Sequence, residues 1–155
     1  MAIITTRTGE TIADDKDMTL RHLAETNRSR LANANLRGAD LRDANLWDAD
    51  LRGADMSGAL LDGAWLDFAD MTRATLRGAS MRDATPAGAS LRDADLTDVD
   101  LRDADLTGAN LDSATLTGAL LDGADMTDAI LDGPILDTPG PIGPDTPWQA
   151  PGIGM

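Results

Sequence analysis

Residues 91–110, Leu-Arg-Asp-Ala-Asp-Leu-Thr-Asp-Val-Asp-Leu-Arg-Asp-Ala-Asp-Leu-Thr-Gly-Ala-Asn, say one thing four times. A large apolar residue stands at every fifth place, a small apolar residue stands two places before it, and polar residues fill the rest. Working outward from this stretch, the same phase holds from Leu31 to Leu136. Of its 22 central positions, 17 are Leu, four are Met (Met56, Met71, Met81, Met126) and one is Pro86. Two residues before each centre, from Ala34 to Ala129, Ala occupies 19 of 20 places, and Val99 is the exception. Neither the helical period nor strand alternation generates a strict repeat of five.

Side-chain direction turns the repeat into a shape. In an extended segment residues two apart share a face, so the Ala and the Leu of each unit point the same way. The residue between them, usually Asp, Asn, Ser or Thr, points outward. The two places after the Leu favour Arg, Asp or Thr and then Gly or Asp, which suits a bend. Each unit is thus a very short strand plus a corner. It buries one large and one small residue, too little to stand alone, so units must stack.

The run Ala-Asp/Asn-Leu-x-x over residues 31–138 resembles the pentapeptide-repeat family. The resemblance implies an all-β fold, a right-handed quadrilateral parallel β-helix with four units per coil, and that hand agrees with the rule for parallel crossovers. The sequence itself hints at the closure, because Gly58-Ala59-Leu60-Leu61-Asp62-Gly63-Ala64 recurs unchanged at 118–124, three 20-residue coils later. The 22 centres then make about 5.5 coils, a rod of roughly 25 Å at the ~4.8 Å spacing of strands. The four Met residues read as core filling rather than a cofactor box. Pro86 has no N–H to give a ladder, so Thr85-Pro86-Ala87-Gly88 is expected to kink or widen a corner.

A solenoid needs closed ends. Residues 1–30 are read as an N-terminal cap: a short hairpin over 3–13 turning near Thr8-Gly9, then a helix over 19–28 with Leu20, Leu23 and Ala24 on one face and Asp17 as its N-cap. His22 on that helix has no ligand-type companion nearby and reads as a cap residue. Residues 139–155 hold five Pro and four Gly, a composition for a disordered tail or for an irregular plug that sets Ile142 and Trp148 over the last coil. Ile130 and Ile135 fall at outward places there, which calls for something apolar to cover them.

Charge bounds the function. The chain has 27 acidic and 13 basic residues, net −14. Residues 1–102 carry net −5, whereas 103–155 hold nine acids and no base. Direct binding to nucleic acid or to an anionic membrane is disfavoured by repulsion. The absence of Cys removes disulfides and thiolate chemistry. Met1–Arg7 lacks the apolar stretch of a signal peptide and nothing approaches a membrane span. A cytoplasmic protein is expected, with association to a virion as the other location. With one His, no phosphate loop and no metal-ligand spacing, no enzyme, cofactor or metal site is expected. The carboxylates at Asp93, Asp95, Asp98, Asp100, Asp103 and Asp105 read as a solvated face partly neutralised by Arg92 and Arg102.

A macromolecular partner is therefore expected, and the sequence marks three places for it. Under four-per-coil stacking, Trp47, Trp65 and Phe68 fall on one face of adjacent coils at outward or corner places. Leu60 and Leu120 form a second outward pair three coils apart, and Asp122, Asp125 and Asp128 mark the base-free C-terminal part. The repeat region has 21 acids and eight Arg, net −13 over about 25 Å, while duplex DNA carries about 15 charges over that length. The resemblance implies DNA mimicry toward a type II topoisomerase, since well-known family members protect or inhibit DNA gyrase and topoisomerase IV. It also implies a homodimer through a C-terminal helix, from which the Pro/Gly-rich 139–155 departs. The alternative is an accessory protein of a phage-like particle, because Arg7-Thr8-Gly9-Glu10-Thr11-Ile12 before a short helix is similar to the openings of phage pentapeptide proteins.

Overall fold

Every bend in the repeat closes in the same way. The N–H of the small residue donates to the carbonyl of the central residue three places earlier, as in Ala39 to Leu36 (3.1 Å), Ala79 to Leu76 (2.9 Å) and Ala109 to Leu106 (2.9 Å). The residue just before the small one takes the left-handed conformation, from Asn33 (φ 58°) through Asp83 (φ 55°) to Gly133 (φ 80°). Gly adopts that backbone freely and Asp tolerates it better than most residues, which explains the composition of the place. The computed structural model describes residues 2–15 and 19–133.

Between bends, two-residue segments pair in parallel with segments 20 residues on. Asp55 N–H donates to Ala34 O (2.8 Å) and Leu36 N–H donates to Asp55 O (2.7 Å), and this couplet repeats up the molecule. Outward residues consequently stack in four columns. The first face carries Asn35, Asp55, Thr75, Asp95 and Thr115, and the second carries Asp40, Leu60, Ser80, Asp100 and Leu120. The third carries Asn45, Trp65 and Thr85, then Asp105 and Asp125, and the fourth carries Asp50, Asp70, Ser90, Asn110 and Ile130. Four bends per 20-residue turn make a square coil, so the chain is a parallel β-helix of stacked square coils.

Inside the coils the central and small residues form one continuous core. Leu31, Leu51, Met56, Met81 and Leu111 are fully buried, as are the Ala residues between them. Each buried Leu contributes roughly 1.5–3 kcal/mol. In the last described coil, Ala119, Leu121, Ala124, Ala129 and Leu131 are only half-buried against that core. The tail 139–155, with its proposed plug residues Ile142 and Trp148, and Ile135 lie outside the described residues.

Pro86 does not kink the coil. Thr85 still bridges Trp65, Gly88 N–H still reaches Thr107 O (2.8 Å), and the Ala89 to Pro86 turn closes at 3.1 Å. What is lost is one ladder bond, the one Pro86 would give to Asp105 O, and with it the bridge between Thr85 and Asp105. The fixed φ of Pro suits the strand end it occupies, so the missing donor is the whole defect.

The N-terminal end is closed by a hairpin, β1 (Ala2–Thr6) with β2 (Thr11–Asp15). Gly9 (φ 89°) donates to Thr6 O at its turn. The free edge of β1 pairs antiparallel with β3 (Ala34–Asn35), through Thr5 with Asn35 and Thr6 with Ala34, so the first coil shows no bare edge there. Ile4 is fully buried beneath it. The helix α1 (Leu20–Thr26) sets Leu23 and Ala24 into the same core. Its cap is Thr19, whose hydroxyl accepts the His22 N–H (3.2 Å). Asp17, the expected cap, stands two residues too early and outside the described residues. The helix also stops at Thr26, short of residue 28, because Arg28–Arg30 tighten into a 3-10 turn. No helix among the described residues is long and apolar enough to cross a membrane.

Candidate interaction surface

The outward place of a unit faces solvent and, in many units, also holds the corner that follows. Where Asp or Asn stands there, its side-chain oxygen accepts the N–H of the residue two places on, as in Asp55 from Ser57 (3.1 Å), Asp70 from Thr72 (3.0 Å), Asp105 from Thr107 (2.9 Å) and Asp125 from Thr127 (2.9 Å). This is why Asp and Asn recur there: each ties down the corner that follows it. Of the carboxylates read from sequence as a solvated face, Asp95, Asp100 and Asp105 are thus structural as well. The signal was available in the pairing of Asp or Asn with a bend two residues later.

Where Arg takes the place after the Leu, it folds back on the same oxygen pair. Arg42 donates to Asp40 at 2.8 and 2.6 Å, and Arg52 and Arg102 treat Asp50 and Asp100 alike. Hydrogen bonds from Arg42 hold the Asp40 carboxyl down at about 2, and those from Arg52 and Arg102 lower Asp50 and Asp100. Hydrogen bonding by Thr127 lowers Asp125 without any cation. Other Arg residues reach up one coil, Arg37 to Asp55 (3.1 Å), Arg77 to Asp95 (3.3 Å) and Arg92 to Asp112 (3.0 Å).

The eight repeat arginines are not spread evenly over the square. Arg37 and Arg77 belong to the first face, Arg42, Arg82 and Arg102 to the second, and Arg52, Arg73 and Arg92 to the fourth. The third face has none. It holds Asp48, Asp67, Asp105, Asp125 and Asp128, and none of these is in an ion pair among the described residues.

That third face also collects most of the side chains singled out from sequence. Trp47, Trp65 and Phe68 lie on it at 46%, 58% and 61% exposure, and the Phe68 ring meets Trp47 edge-on with centroids 6.3 Å apart. Asp125 and Asp128 lie on it too, both exposed. Leu60 and Leu120 do not join them. They sit in the second column, separated by Ser80 and Asp100, and Asp122 is on that second face as well.

A groove of about 680 Å³ runs between α1 and the foot of the second face, lined by Thr19, His22, Glu25, Asp40, Arg42 and Asp43. Its polar groups are engaged with one another: His22 faces Glu25 (3.6 Å), Arg21 donates to Arg42 O (2.9 Å) and Arg42 grips Asp40. No cluster of His, Asp and Glu among the described residues has metal-binding geometry.

Against known proteins, the family model "Pentapeptide repeats (8 copies)" matches residues 29–66, 54–85, 69–108 and 109–136. No curated protein matches the chain. Among solved structures, the chain is similar to Rfr23, a pentapeptide repeat protein of the cyanobacterium Cyanothece 51142, at 30% identity over 54% of this chain and 60% of that one, TM-score 0.39. It is similar to HetL, a pentapeptide repeat protein involved in heterocyst differentiation regulation in Nostoc sp. strain PCC 7120, at 34% identity over 68% and 59%, TM-score 0.31. It is also similar to QnrB1, a plasmid-mediated fluoroquinolone resistance protein, at 19% identity over 66% and 60%, TM-score 0.29. The chain spans about three fifths of the length of each of these structures.

Proposed function

The chain belongs to the pentapeptide repeat family, and from that premise we propose that it works without catalysis, as an interaction module offering an acidic rod to another macromolecule. The right-handed coil that the family implies is taken with it. The observation that carries the reading is charge held in fixed places. Between residues 103 and 133 there are seven Asp and no Lys or Arg. The outward ones, Asp105 and Asp125, are locked to their corners by the Thr107 and Thr127 N–H groups, so the array is rigid at coil spacing. A rigid acidic array loses little conformational freedom on binding and steers cationic partners toward itself.

In its finer form the proposal is DNA mimicry, with the DNA-binding surface of a type II topoisomerase as the partner. The support is the likeness in linear charge density between the repeat region and a duplex. DNA gyrase supercoiling, titrated with the protein, tests it. The expected result is inhibition that weakens as salt rises. Supercoiling unaffected at concentrations far above the enzyme's would sink topoisomerase mimicry. It would leave the accessory role in a phage-like particle, which the Arg7–Ile12 resemblance favours and whose residues 7–11 stand exposed at the hairpin turn.

A further inference from the structure

Phe68 is out of place on backbone grounds. The corner it occupies takes φ 59°, where a Cβ crowds the following carbonyl, and Gly, Asp or Asn fills nearly every equivalent corner. Burial does not compensate, because the ring is 61% exposed. Yet the ring has a prepared seat. A Cβ on Gly88, one coil up, would fall 2.8 Å from Phe68 Cε1 and 2.9 Å from Cδ1, so the ring lies over bare glycine backbone. Trp47 abuts it at 80°, and Trp65 stands exposed at an outward place of the same face. Strain kept without burial points to use at the surface, and grouped exposed aromatics are the anchor type of interfaces.

The same face decides what the anchor receives. It is the face without a repeat arginine, whereas the other three mix Arg with Asp and neutralise part of their charge. At its lower rim the guanidinium of the cap's Arg28 donates to Asn45 Oδ1 (3.3 Å) and is in no ion pair among the described residues. From the foregoing we infer that the third face is the docking face of the rod and that its occupant is a cationic protein segment. An Arg of that segment stacks on Trp47, Trp65 and Phe68, and further basic groups pair with Asp105, Asp125 and Asp128. Trp65 and Asp125 are three coils apart, about 14 Å, which an extended segment covers in roughly four residues. Arg is favoured over Lys at the aromatic end because a guanidinium stacks on rings and an ammonium does not. The inference rests on the interaction-module reading and names its surface and its partner's chemistry.

Fluorescence anisotropy of labelled nona-arginine and nona-lysine with the full chain at low salt tests it. Nona-arginine is expected to bind the tighter of the two. Asp105→Asn/Asp125→Asn/Asp128→Asn should weaken both by about tenfold or more, because Asn keeps the corner hydrogen bonds of positions 105 and 125, tolerates the left-handed corner at 128, and loses only the charge. Asp98→Asn/Asp122→Asn/Asp132→Asn removes the same charge from the other faces and should change affinity by less than about threefold. Phe68→Gly/Trp65→Ala should erase the preference for arginine while the melting curve shows an intact fold. Equal losses from the two triple variants would overturn the face assignment and leave a generally acidic rod. A preference for arginine untouched by the aromatic variant would overturn the seat and open it to another occupant, such as the chain's own residues 134–155. A wild-type chain that binds neither peptide sinks both the inference and the reading beneath it.

Discussion

Asp and Gly share the left-handed corner for different reasons, Gly because it lacks a Cβ and Asp because it tolerates that backbone. Some glycines are asked for more. A Cβ at Gly58 (φ 65°) would meet nothing within 4 Å, whereas one at Gly88 (φ 64°) would press into the Phe68 ring. Gly58→Ala should therefore lose about 1 kcal/mol from the backbone alone, and Gly88→Ala about 1 kcal/mol more from the displaced ring. In a Phe68→Gly background the two alanine variants should become equal, as urea midpoints would show, since the cycle isolates the contact. A difference that persists without the ring would refute the seat. The corner itself was legible in the Gly and Asp of the fifth place. Which glycine lies above which side chain was not, because that depends on the coil length, a property of closure rather than of any single repeat.

For the elements, the period of five makes the strands and corners plain from residue order alone, while two local details turn on geometry that spacing does not carry. The helix cap fell to Thr19 instead of Asp17 because the helix begins at Leu20. At Pro86 an expected kink is only a missing hydrogen bond, since the backbone on both sides keeps its register. The defect is reparable. Pro86→Leu would supply the N–H for Asp105 O and fill the column with the residue found at most other centres. The regained bond contributes about 0.5–1.5 kcal/mol, offset by about 0.4–1 kcal/mol for the greater freedom of the unfolded chain. Added apolar burial tips the sum toward stability. A calorimetric midpoint raised by a few degrees is the expected outcome; a lowered one would mean that the coil is strained around proline and that its φ is worth more than the ladder.

Over the whole molecule, net charge was readable from composition, but its partition among four faces was not, because one face is recognisable only once residues 20 apart are known to stack. Trp47, Trp65 and Phe68 share a face on that basis, whereas the absence of repeat arginines from that face emerges only when every corner is assigned to its face. The partition matters for how the rod responds to salt. Its arginines are largely matched to aspartates on their own faces, and these exposed pairs are individually weak. The excess of acids that gives the net charge of −14 is left to repel itself. Successive coils are about 4.8 Å apart, well inside the ~10 Å screening length at 0.1 M salt, so like charges in one column feel one another. Added sodium chloride screens both the pairs and the excess, and with acids outnumbering bases two to one the repulsion is the larger loss. The melting temperature should therefore rise with salt, by about 2–4 °C for each kcal/mol of repulsion removed. Binding to nona-arginine should fall over the same range, because screening there removes attraction. Stability and affinity are thus expected to move in opposite directions under one titrant. A melting temperature that falls alongside affinity would mean that the arginine pairs, rather than the unpaired aspartates, dominate the electrostatics of the rod.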